Sequence, residues 1–60
     1  MEINTLKGFM YAATAGLSSA EITDANGLTL SIGAGEQVLF TATGDHITVV
    51  SGMVTLTQVR

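Results

Sequence analysis

Glycine divides this chain into short runs in which apolar and hydroxyl residues alternate, and that rhythm predicts β-strands. Turn candidates stand at Asn26-Gly27, Gly33-Ala34-Gly35, Gly44-Asp45 and Ser51-Gly52. Asn-Gly is the pair preferred in a type I′ hairpin turn, so residues 19–25 and 28–32 are expected to pair around it. Leu28, Leu30 and Ile32 alternate with Thr29 and Ser31, which gives the second of these strands one buried side. Residues 37–43 repeat the pattern, with Val38, Phe40 and Ala42 against Gln37, Thr41 and Thr43. Leu39 breaks it by placing an apolar group on the outer face. Residues 46–50 and 53–59 are expected to form a last pair through a tight turn at Ser51-Gly52. There Ile47 and Val49 oppose Val50, and Val54 and Leu56 oppose Met53 and Val59, so both faces carry bulk. Bulk on both faces fits a central strand or a subunit interface.

The N-terminal third is less regular. Phe9-Met10-Tyr11-Ala12-Ala13 has the Ala and Met content of a short helix, but Gly8 and Gly16 bracket it closely, and a strand over residues 9–15 is the favoured reading. Residues 2–7 before it read as a strand or an extended arm. The sum is an all-β fold, a small antiparallel β-sandwich or jelly-roll-like barrel of about five to six short strands. It forms a single domain over residues 1–60, with 1–8 as an arm or edge strand.

Length then limits how such a sandwich holds together. The chain has 60 residues, and a domain of that size buries only about 60% of the surface its unfolded chain exposes. Small folds make up the deficit with disulfides, a metal or assembly; this chain has no Cys and one His. Assembly is therefore expected, and the composition agrees, with 47% hydrophobic and only 12% charged residues. The candidate contact residues are Phe9, Met10, Tyr11, Leu39, Val50, Met53 and Val59. The Phe9 to Tyr11 cluster admits two uses, filling the core or anchoring into a neighbour.

The formal charge is −3 and the only basic side chains are Lys7 and Arg60, so the electrostatic footprint of a nucleic-acid or anionic-membrane binder is missing. The most apolar stretch, 9–17, is too short to span a bilayer and has no basic start, so the chain reads as soluble and intracellular at synthesis.

Candidate chemistry is sparse. Asp45-His46 resembles an oriented base, but the pair follows Gly44, and a turn leading into a strand is the preferred reading. One His does not make a zinc site unless a three-fold axis gathers three copies of it. Glu2, Glu21, Asp24, Glu36 and Asp45 are scattered, without the spacing of a calcium loop. Gly33-Ala34-Gly35-Glu36 lacks both the following helix and the Lys of a phosphate loop, so it reads as a sharp turn. Thr at 29, 41, 43, 48, 55 and 57 reflects β propensity first, and a hydroxyl ladder second. No catalytic, cofactor-binding or metal-ligating residue is assigned, and the chain is not expected to be an enzyme.

Residues 28–56, with their short Gly-Glu-hydrophobic and Ser-Gly-hydrophobic hairpins, resemble the small accessory proteins of tailed-phage virions, such as capsid decoration (cement) proteins and head-fibre bases. The resemblance implies a non-enzymatic virion structural protein, made in the host cytoplasm and located in the virion. Its implied partners are itself, as a homo-oligomer and most simply a trimer, and a capsid or other virion protein. A cellular ligand- or carbohydrate-binding β module is the alternative, although such modules usually stack sugars on exposed aromatics and this chain has no Trp and one Tyr.

Overall fold

The computed structural model describes all 60 residues and contains strands but no helix. Seven strands form in order: β1 (Glu2–Asn4), β2 (Met10–Ala15), β3 (Ala20–Asp24), β4 (Thr29–Ile32), β5 (Gln37–Thr41), β6 (His46–Ser51) and β7 (Val54–Gln58). The all-β expectation holds, with a strand count slightly above the five to six expected. Residues 2–4 are an edge strand and the 9–15 segment is a strand, as favoured over a helix.

The strands form two antiparallel sheets, one in the order β1-β6-β3-β4 and the other β5-β2-β7. Each contributes one face to a shared core. From the first come Ala20, Ile22, Ile32, Ile47 and Val49, and from the second Ala13 and Ala15, with Leu30, Val38, Phe40, Val54 and Leu56 half-buried around them. Large β-branched side chains on one side thus meet alanines on the other, which lets the layers approach; the shortest dimension is 15 Å. Ile22, Ile32 and Ile47 are the largest side chains removed fully from water, each worth about 1.5 to 3 kcal/mol as an upper estimate.

The 3–4 hairpin forms where Asn26-Gly27 predicts it, but not with the type I′ turn. That turn needs a left-handed residue at both central positions, and no residue other than glycine has positive φ. Instead the Gly27 N–H donates to the Asp24 carbonyl at 3.0 Å and, of the loop residues, only Gly27 takes a positive φ, of 87°. This is the longer loop in which a type I turn is followed by a left-handed glycine. Leu28 consequently sits in the loop and is exposed rather than on the buried side of β4.

The expected hairpin between the last two strands does not form. β6 pairs with β1 and β3, whereas β7 pairs with β2 in the other sheet. Gly52 makes the crossing possible: its φ is 75°, and a Cβ there would lie 2.5 Å from the Ser19 carbonyl oxygen and 2.9 Å from Ala20. The chain turns this corner pressed against the start of β3, with no room for a side chain. The bulk on both faces of β6 also has a local cause. Ile22 aligns with Val49 and Glu21 with Ser51, leaving Val50 as the extra residue of a β-bulge. Ile47 and Val49 are buried and Val50 is exposed, so β6 is the central strand that its pattern allowed.

Long-range bonds tie the N-terminal segment down. The Val49 N–H donates to the Met1 carbonyl at 2.7 Å, the Thr5 N–H to the Asp45 carbonyl at 2.9 Å, and the buried Thr5 hydroxyl to the Gly44 carbonyl at 2.8 Å. No buried side-chain polar atom is left without a partner.

Candidate interaction surface

The seven residues singled out as contacts do not share one location. Tyr11 is the correction among them: it faces inward on β2 and is only 6% exposed. Its ring lies 6.0 Å from that of Phe40 at 26°, and its hydroxyl accepts the Leu6 N–H at 2.8 Å. A residue so occupied with core and loop has no surface to offer a partner. Phe9 is exposed just before β2, and Met10, the first residue of that strand, is half-buried. Leu39 is 62% exposed on β5. Val59 is exposed immediately after β7, with its N–H bonded to the Met10 carbonyl at 2.7 Å.

Val50 and Met53 belong to a different end of the molecule. Val50 is pushed out by the bulge, and Met53 is 79% exposed at the corner after Gly52. The Met53 carbonyl accepts the Gly16 N–H, which brings the fully exposed Leu17 into the same region. Leu17 was not among the expected contacts; its signal was an apolar residue placed between Gly16 and two serines, where a loop tip has no core to enter.

The outer face of β5-β2-β7 is a continuous surface. The register sets Leu39 opposite Ala12 and Ala12 opposite Thr57, and likewise Gln37, Thr14 and Thr55 in a second row. The Gln37 amide donates to the Thr14 hydroxyl at 3.1 Å. Met10 and Thr41 complete the face at its other end. None of these three strands contains a charged residue, so the face combines apolar, hydroxyl and amide groups alone. Ala12, although on this outer face, is buried by its taller cross-strand neighbours.

Ionisable groups gather elsewhere. Glu2, Glu21 and His46 lie on strands of the other sheet. Asp45 occupies the bend before β6, which lets its carboxylate reach His46 Nδ1 at 2.8 Å although the two are adjacent in sequence. That bond, with the charge of Glu2 adding to it, raises the His46 pKa above its ordinary value, and the same bond lowers that of Asp45. Asp24 closes the hairpin loop: its Oδ1 accepts the N–H groups of Leu28 at 2.8 Å and Asn26 at 2.9 Å, and its Oδ2 the Thr43 hydroxyl at 3.0 Å. These bonds, that from Leu28 foremost, hold its carboxyl below the usual range.

The pair Asp45–His46 is a base with an orienting carboxylate, but the imidazole has no second side-chain partner to act on and no cavity of ligand size opens beside it. No three His, Cys, Asp or Glu side chains gather closely enough to hold a metal ion. No helix is long and apolar enough to cross a membrane. Comparison with family models, with curated proteins and with solved structures finds no match to this chain.

Proposed function

We propose that this chain is a non-enzymatic structural protein of a virion, which binds and stabilises a capsid or other virion component and self-associates in doing so. The observation that carries the docking role is the separation of charge: β2, β5 and β7 present an outer face without a single ionisable group, on a chain of net charge −3. Such a face can be covered by another protein without stranding a charge, and its methyl and hydroxyl groups suit a flat, neutral partner surface. The resemblance of residues 28–56 to phage accessory proteins supplies the class of partner. The carbohydrate-binding alternative called for an exposed Tyr11 beside a polar groove, and Tyr11 is buried.

Co-sedimentation with capsid shells of the phage that encodes the chain tests the docking role. The expected result is saturable binding, lost in Thr57→Glu, which sets a carboxylate on the neutral face beside Ala12 while leaving the β5 edge unaltered. Absence of the protein from purified virions by mass spectrometry, or binding indifferent to Thr57→Glu, would overturn the proposal.

A further inference from the structure

We propose that the free edge of β5 joins two copies of this chain about a two-fold axis at Leu39, so that two three-stranded sheets become one six-stranded sheet. The inference rests on the self-association in the function proposed above and names its geometry.

Both sheets are open, and their four edges are not equivalent. β1 is only three residues long and carries the charge of Glu2. β4 has four residues. β7 ends irregularly, because the Val59 and Arg60 N–H groups both donate to the Met10 carbonyl, and a doubled residue of this kind twists an edge away from pairing. β5 has none of these defences: Gln37, Val38, Leu39, Phe40 and Thr41 include no charge, proline or glycine, and no register shift interrupts its pairing with β2.

The bonds at the two ends of the β2–β5 ladder set its phase. The Ala42 N–H donates to Phe9 and the Ala15 N–H to the Glu36 carbonyl, so the even-numbered residues of β5 bond β2. The N–H and C=O groups of Gln37, Leu39 and Thr41 therefore point to the free edge. A two-fold at Leu39 sets these residues against their own counterparts: Leu39 meets Leu39 of the second copy, and Gln37 meets Thr41. Every outward N–H then faces an outward C=O, the only large apolar side chain of the β5 outer face is paired with itself, and amide faces hydroxyl beside it. On the inner face, half-buried Val38 meets half-buried Phe40, which joins the two cores. No acid opposes another acid, a requirement for two copies of charge −3; Glu36, the nearest, lies across from Ala42.

A standard interface takes roughly 800 Å² from each partner, about a fifth of this chain's 3723 Å². A single five-residue edge covers less, so the dimer is expected to form and dissociate with concentration rather than permanently.

The test uses the purified chain alone, so that its failure is separable from failure of capsid binding. Sedimentation over a concentration series should show monomer passing to dimer, and Leu39→Lys should weaken the association roughly tenfold or more by removing the contact and opposing two ammonium groups. Because the chain has no cysteine, Leu39→Cys reports the axis directly. Directly opposed residues of a hydrogen-bonded pair have Cα atoms about 5.5 Å apart, within disulfide range, so mild oxidation should yield a covalent dimer. Gln37→Cys, whose two copies would lie at opposite ends of the edge, should not. A monomer at every concentration overturns the proposal. So does association unaffected by Leu39→Lys, or equal cross-linking of both cysteine variants. Backbone circular dichroism of each variant separates lost pairing from lost folding.

Discussion

On the outside of the sheet β1-β6-β3-β4, Glu2, Glu21 and His46 stand among hydroxyls, whereas the outside of β5-β2-β7 carries methyl, hydroxyl and amide groups only. Their inner faces differ in the opposite sense. The charged sheet supplies every isoleucine and valine that is fully buried, and the neutral sheet answers with alanines. One layer thus supplies the largest core side chains and carries the charge, while the other presents a neutral outer face. In the docking role proposed above, this division keeps charge away from the face that a partner would cover.

That division is broken most severely at the core of the charged sheet. Ile22 is 1% exposed on β3, and Ile22→Ala should cost about 2 to 5 kcal/mol, comparable to the whole stability of a domain this small at roughly 3 to 9 kcal/mol. Leu39→Ala on the neutral outer face should change stability by no more than about 0.5 kcal/mol in urea denaturation at low protein concentration. Equal losses at the two sites would mean that the layers are not specialised.

The corner between the sheets comes next. Gly52→Ala meets both the positive φ and the crowding against Ser19 and Ala20, and should cost more than Gly27→Ala, which has the same φ problem in open space and should lose about 1 to 2 kcal/mol. Thermal denaturation of the two variants ranks them, and a reversed order would deny the close crossing.

Smaller effects separate the acid groups. The Asp24 carboxyl is held low by the bonds it accepts, so its contribution is complete above its ordinary value and lost as pH falls through the depressed one. Asp24→Asn, which keeps one acceptor, should flatten the acid limb of the stability curve. The smallest change concerns His46, whose raised pKa gives stability that is complete below its ordinary value of 6.5 and lost as pH rises through the raised one. His46→Gln should remove that slope near neutrality and leave the acid limb of Asp24 in place. An unchanged neutral slope would show that the exposed pair contributes nothing.

Most of the strands were legible because alternation is a local signal. Thr29 to Ile32 and Gln37 to Thr41 carry it plainly, and each glycine cluster ends a run. What was not legible is which sheet a strand joins. Ser51-Gly52 looks like a hairpin turn, and only the approach of Gly52 to Ser19, 33 positions earlier, reveals a crossing between layers. Asn26-Gly27 likewise announced a hairpin but not its type, since Asp24 sets the loop by taking two backbone N–H groups. The outward placement of Leu39 could be read from its break in alternation, whereas the inward turn of Tyr11 depends on pairing with Phe40. The neutrality of β2, β5 and β7 was present in the letters all along, but it becomes a surface only once those strands lie side by side.

The strand pairing also orders events in time. β1 finds its partner in β6, and β2 finds its own in β5 and β7, so nothing before residue 16 can enter a sheet until residue 37 has left the ribosome. Only the β3–β4 hairpin is able to form from neighbouring residues. Closure over such distances is slow, with all-β domains of this kind folding in roughly milliseconds to seconds. During that interval Met10, Tyr11 and the alanines of β2 are an unpaired apolar strand, and the segment that will lie at the centre of the neutral sheet is open to other chains.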